Sequence, residues 1–302
     1  MSATISLRDV TLRDGLQDED PIATDDKLAV FEALLAAGVR DLELTSFVRA
    51  DRVPAMADAE ALVAATRGAA ATRWGLVLNR RGAERAIAAG LHQMQFVVSA
   101  SEPHNLANAG RTVDASITDL TDIVGLARDG GGEVEATVAT AFGCPHTGPV
   151  ATNVVLDAVA GCVAAGVSAV SLADTIGTAA PNEVRSLVTA VRDAHPTVPV
   201  GLHLHDTRGM ALANALAGID AGATRLDAAL GGLGGCPFAP GASGNLPLED
   251  LAHALEAMGY DTGLDVDALI AASTLVCSLV GRDVASHVGV AGARFSRLVP
   301  PT

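Results

Sequence analysis

Aromatic residues are scarce. One Trp, one Tyr and six Phe make up 3% of the 302-residue chain, so its 49% hydrophobic content must build a core chiefly from Ala, Val and Leu, which suits alternating helices and buried parallel strands. Basic residues are also few. The 20 Lys and Arg against 35 Asp and Glu give a formal charge of -15, which argues against nucleic acid or an anionic membrane as partner, since both need a basic footprint. A small anionic ligand can still be met by local arginines. The four cysteines, Cys144, Cys162, Cys236 and Cys277, stand far apart with no C-x-x-C pair, fitting neither a disulfide framework nor a thiolate metal cage. No apolar run approaches a membrane span, and the opening MSATISLRDV has neither a basic n-region nor an apolar h-region. A cytoplasmic protein is expected.

Apolar segments rich in Val, Ile and Leu predict eight strands, at 5–12, 39–47, 73–78, 93–100, 133–140, 169–175, 200–206 and 225–230. Helical patterns such as "TDDKLAVFEALLAAG" and "NVVLDAVAGCVAAG" lie between them, opening on a capping Thr, Asn or Asp and closing at Gly. Strand then helix, with no Pro/Gly/Ser-rich linker, predicts one (β/α)8 TIM-barrel domain over 1–302, with the barrel at about 5–260. A Rossmann-like sheet is the competitor, but no G-x-G-x-x-G turn follows the first strand. An additional C-terminal helix is expected at 265–281, packed either in an interface or across the barrel bottom.

Within "VGLHLHDTRG", His203 and His205 sit two positions apart on a strand and so share one face. A hydrogen-bonded interior pair is the plain alternative to a metal site. Barrel active sites form at the C-terminal strand ends, and that rule collects other residues at the same mouth. Arg13 and Asp14 close the first strand, Glu43 lies on the second and Asp174 ends the sixth. The glycine-rich stretch "GLGGCPFAPGASGN" after the eighth carries Cys236 and Asn245. Singly, Asp14, Asp174 and Asn245 read as turn or cap residues. Together they offer a carboxylate, two imidazoles and an amide carbonyl, an N/O ligand set with open positions that suits Mg2+, Mn2+ or Zn2+. Such an ion, chelated by a hydroxyl and a carbonyl, acidifies the hydroxyl and prepares a retro-aldol cleavage of a β-hydroxy thioester. Arg13 would stabilise the enolate oxygen, and Cys236 on a covering loop would return a proton to carbon.

Seven stretches carry a resemblance: "TLRDGLQDE" (11–19), "SFVRADRVPAMAD" (46–58), "SASEPHNLAN" (99–108), "FGCP" (142–145), "SLADTIG" (171–177), "HLHDTRGMALAN" (203–214) and "GLGGCPFAPGASGNLPLEDL" (232–251). On these the chain resembles the 3-hydroxy-3-methylglutaryl-CoA lyases, a metal-dependent family of TIM-barrel enzymes. The resemblance implies Asp14, His203, His205 and Asn245 as ligands of Mg2+ or Mn2+, Arg13 as enolate stabiliser and Cys236 as catalytic thiol. It also implies acidic support from Glu43, Asp174 and Glu249, and cleavage of 3-hydroxy-3-methylglutaryl-CoA to acetyl-CoA and acetoacetate, as in leucine degradation. Two departures touch the acyl pocket. Thr137 stands where some members carry tyrosine, and "DGLQDED" lacks a basic residue that some place after this motif. A lyase for a related thioester such as citramalyl-CoA, a 4-hydroxy-2-oxoacid aldolase, a condensing synthase, or a non-catalytic CoA-ester binder are the competing expectations. A homo-oligomer is also expected.

Overall fold

The computed structural model describes residues 5–235 and 244–295. Its parallel strands close into a barrel in chain order: β1 (Ser6–Asp9), β2 (Asp41–Ser46), β3 (Thr72–Val77), β4 (Gln93–Ser99), β5 (Glu133–Ala139), β6 (Val170–Asp174), β7 (Val200–Leu204) and β8 (Arg225–Ala228), which pairs back onto β1. All eight expected strands are present in the expected order. Alternation assigns their two faces. Leu42, Leu44, Met94, Phe96, Val134, Leu202 and Leu226 are buried in the apolar layer shared with the surrounding helices, as the Ala/Val/Leu composition requires.

The lumen departs from that expectation. Branched aliphatic layers usually fill such a barrel, but here Arg8 of β1 reaches across to Glu135 of β5 at 2.8 Å, with its guanidinium carbon 4.1 Å from the centre of the Trp74 ring. Arg225 of β8 also donates to Glu135, and to Ser171 of β6 at 2.8 Å. Each of these polar groups is matched by an opposite charge or a hydrogen bond, which burial demands.

The helix ends differ in part from expectation. Helices Thr24–Ala36 and Thr152–Ala165 follow Ala23 and Ala151, so neither has a side-chain cap. Thr24 gives its hydroxyl to Asp58 at 2.8 Å instead. The glycine stops hold. Gly38 has φ +95°, and a Cβ there would lie 2.3 Å from the Gly263 carbonyl oxygen. The C-terminal helix, Val266–Val280, is capped by Asp265 accepting from Ala268 N and ends at left-handed Gly281. It does not cross the barrel bottom. Its buried face, including Leu269, Ala272 and Val276, packs against helices Thr24–Ala36 and Leu248–Ala257, completing the outer ring. No helix among the described residues is long and apolar enough to cross a membrane.

Candidate active site

β1 ends at Asp9, short of the expected limit, because the chain widens into a π-helical turn, Thr11–Gly15, closed by Gly15 N donating to Val10 O at 3.0 Å. π-turns are uncommon and recur at functional sites. Asp9 braces this one: its carboxylate accepts from Thr11 N at 3.0 Å and Thr11 Oγ1 at 2.6 Å, while Thr11 Oγ1 accepts from Leu230 N at 2.8 Å. Burial pushes the Asp9 carboxyl up to about 7, against the lowering effect of the Thr11 bonds. Arg13 and Asp14 therefore reach the barrel mouth from a braced turn rather than from a strand end.

His203 projects from β7, and His205 follows it in a single bridge to Asn245. The two Nε2 atoms face one another at 3.3 Å and lie 3.6 and 3.5 Å from Asp14 Oδ2. Asn245 Nδ2 donates to Asp14 Oδ2 at 2.7 Å and to Leu233 O at 3.0 Å, leaving its Oδ1 buried without a partner among the described residues. Burial opposes charge on Asp14, but Arg13 and both imidazoles hold its carboxyl well below the usual range. Burial likewise opposes a proton on His203, yet the carboxylates of Asp14 and Asp227 win and push it up to about 10 without a metal.

These features fit a divalent cation. Two imidazole nitrogens aimed at each other need a proton or a cation between them, and metal binding displaces the proton. Adjacent ligands of a small octahedral ion stand about 3 Å apart, close to the Nε2 separation. Asn245, which bonds Asp14 through its amide nitrogen, also carries an orphaned buried carbonyl oxygen, a costly atom to leave unpaired and a donor of the right chemistry for a cation. The set holds nitrogen and oxygen only and no thiolate; its oxygens suit Mg2+ and Mn2+, and its imidazoles are accepted by Mn2+ and Zn2+.

Arg13 Nη1 bonds Asp14 and its Nη2 donates to Glu43 Oε2 at 2.7 Å. Burial raises the Glu43 carboxyl, which the Arg13 charge opposes. Glu43 stands behind Arg13 rather than on the cavity wall. That cavity has a volume of about 810 Å3 and is walled by Arg13, Asp14, Ser46, Thr137, His203 and His205 at its deep end and by Arg49 and Arg52 at its rim. Thr137 accepts from Gln95 Nε2, which fixes its hydroxyl on the wall.

Two expected acidic residues have other partners. Asp174 accepts from the amides of Thr178 and Ala179, each at 2.9 Å, so it braces the turn after β6, the capping alternative read in the sequence. Glu249 lies outside the ligand cluster. It accepts from Gly231 N at 3.0 and 3.2 Å and from Ser273 Oγ, tying the start of the glycine-rich stretch to the C-terminal helix. Cys236 lies outside the described residues. The sequence reading missed Asp227, whose Oδ2 is 3.3 Å from His203 Nδ1. The alternation in "RLDA" was its signal, since Arg225 and Asp227 must share a face.

Residues 4–276 match the HMGL-like family. The chain belongs to that family. It is 40% identical over 307 residues to (R)-citramalyl-CoA lyase of Chloroflexus aurantiacus, covering 98% of this chain and 97% of that protein. It is 36% identical over 285 residues to the hydroxymethylglutaryl-CoA lyase YngG of Bacillus subtilis, covering 94% and 95%. Its fold superposes with a TM-score of 0.94, at 39% identity and over 100% and 99% of the two chains, on an HMG-CoA lyase from Acinetobacter baumannii solved with coenzyme A and 3-methylmalate. This HMGL-like protein is a carbon–carbon lyase.

Proposed function

We propose that this lyase cleaves a 3-hydroxy-3-methylacyl-CoA thioester, with 3-hydroxy-3-methylglutaryl-CoA as substrate and acetyl-CoA and acetoacetate as products. Asp14, His203, His205 and Asn245 would hold Mg2+ or Mn2+. When bound, that ion supplies the Lewis acidity that lowers the pKa of the substrate's tertiary hydroxyl. Loss of the hydroxyl proton lets its electrons form the ketone of acetoacetate as the C2–C3 bond breaks. The bonding pair then passes into the thioester as an enolate, and protonation of C2 gives acetyl-CoA. Arg13, on the wall beside Asp14, offers a fixed positive charge to the enolate oxygen, and Glu43 keeps that guanidinium aimed. Cys236 is assigned the proton delivery to C2 on its motif. Asp174 and Glu249 act by bracing their turns.

The observation that carries this reading is the meeting of Arg13 with the ligand atoms of Asp14, His203 and His205 on one cavity wall. Acetoacetate release by chelator-stripped protein, with and without Mg2+ or Mn2+, tests it. Metal-independent release refutes the cofactor assignment.

A second reading, citramalyl-CoA, is favoured by the 40% identity to a lyase of that name and by Thr137 on the acyl wall. In that thioester the carboxylate sits directly on the carbinol carbon, and cleavage yields pyruvate in place of acetoacetate. Measuring both oxo acids from the two thioesters decides between them.

A further inference from the structure

His203 is held from both sides of its ring. Its Nδ1 lies 3.3 Å from Asp227 Oδ2, on the neighbouring strand, where the two residues are register partners. The other oxygen of Asp227, Oδ1, accepts from Arg225 Nε at 3.3 Å. Arg225 is itself immobilised, since Nη1 bonds Glu135 and Nη2 donates to Ser171 Oγ at 2.8 Å. Glu135 in turn is clamped by Arg8 at 2.8 Å. Asp227, Arg225, Glu135, Ser171 and Arg8 are all buried away from the cavity, so none of them can turn to water.

A carboxylate can only accept hydrogen bonds, so Nδ1 beside it must carry a proton, and a neutral imidazole has only one N–H. We infer that Asp227, aimed by Arg225, is a positioning residue that selects the His203 tautomer whose Nε2 lone pair faces Asp14 and His205. The inference rests on the metal site proposed above. It makes the carboxylate of Asp227 part of ion binding although it is not among the ligands, in the way that outer partners orient metal-bound histidines elsewhere.

The geometry sets an unusual test. In Asp227→Asn the Arg225 Nε–H still requires an acceptor at the Oδ1 position, so the amide carbonyl stays there and the NH2 group meets His203 Nδ1. A donor at that place forces Nδ1 to accept, and the ring proton moves to Nε2, into the ligand cluster. Asp227→Ala removes the acceptor and imposes no wrong tautomer. Mn2+ binding is read at fixed pH from the electron paramagnetic resonance of free Mn2+, with thermal melts of the chelator-treated proteins alongside.

The expected result is that the isosteric Asn variant, though less stable than the wild type, still folds yet binds Mn2+ about 10- to 100-fold more weakly, and more weakly than the Ala variant. A loss of packing alone gives the opposite order. Asn binding Mn2+ as the wild type does, or Ala binding more weakly than Asn, overturns the inference. Should the Ala variant not fold, the comparison of Asn with wild type decides alone. Wild-type protein that binds no Mn2+ is a separate outcome, and it removes the metal site and this inference together.

Discussion

Arg13 donates to Glu43 through one arm of its guanidinium at 2.7 Å while the other arm rests on Asp14. The cation thus links the proposed metal ligand to a buried carboxylate and cannot swing into the cavity freely. Arg13→Lys supplies the charge from a single flexible point and cannot make both contacts. We expect a fall in thioester cleavage of about 100- to 1000-fold with Mn2+ affinity changed far less. Rapid-quench turnover and Mn2+ titration on the same variant check it; undiminished turnover counts against Arg13 as enolate partner.

Removing either imidazole acts on the ion first. His203→Ala and His205→Ala are expected to weaken Mn2+ binding by more than the roughly 10- to 100-fold that loss of an outer partner costs, and to lose cleavage in parallel. Circular dichroism should still report a folded barrel, because each ring faces the cavity rather than the apolar layer under the helices. Unchanged affinity in a folded double variant sinks the ligand assignment.

Asp9 makes stability depend on pH. Its carboxyl is pushed up to about 7 in the fold from the ordinary 3.8, chiefly by burial. Its contribution is therefore complete below the ordinary carboxylate value and is lost as pH rises through about 7. Asp9→Asn keeps an acceptor for Thr11 without the titration. Melting temperatures measured across this window should fall more steeply for the wild type than for the variant, and parallel curves contradict the prediction.

Thr137, held by Gln95 on the cavity wall, is expected to bear on which acyl group fits. Thr137→Val deletes the hydroxyl that Gln95 holds and keeps the volume. The ratio of acetoacetate formed from 3-hydroxy-3-methylglutaryl-CoA to pyruvate formed from citramalyl-CoA should shift severalfold while Mn2+ affinity stays put. An unaltered ratio removes Thr137 from substrate choice.

The barrel and its mouth were legible because local signals agreed with the global fold. Apolar runs and helical periods alternated, and strand geometry alone put His203 and His205 on one face. The turn at Thr11 was not legible, since Val10, Thr11 and Leu12 continue a strand pattern and only the brace from Asp9 and Leu230 reveals the widening. The charged lumen was hidden for a related reason. Alternating Arg8, Glu135, Arg225 and Asp227 with apolar neighbours reads as a half-exposed strand face, and only barrel closure turns that face inward. The motif implied a supporting role for Glu249 but not its partners, which its helix makes Gly231 and Ser273.

In barrels of this kind the mouth usually carries chemistry and the floor carries stability. The column from Arg8 through Glu135, Arg225 and Asp227 to His203 erases that division of labour. Neutralising Glu135 removes one of the two acids that hold Arg225, whose other acid, Asp227, is the neighbour of His203. If Asp227 aims His203 as inferred, protein engineers who treat the floor as a free site for stabilising substitutions would be retuning the proposed metal site from below.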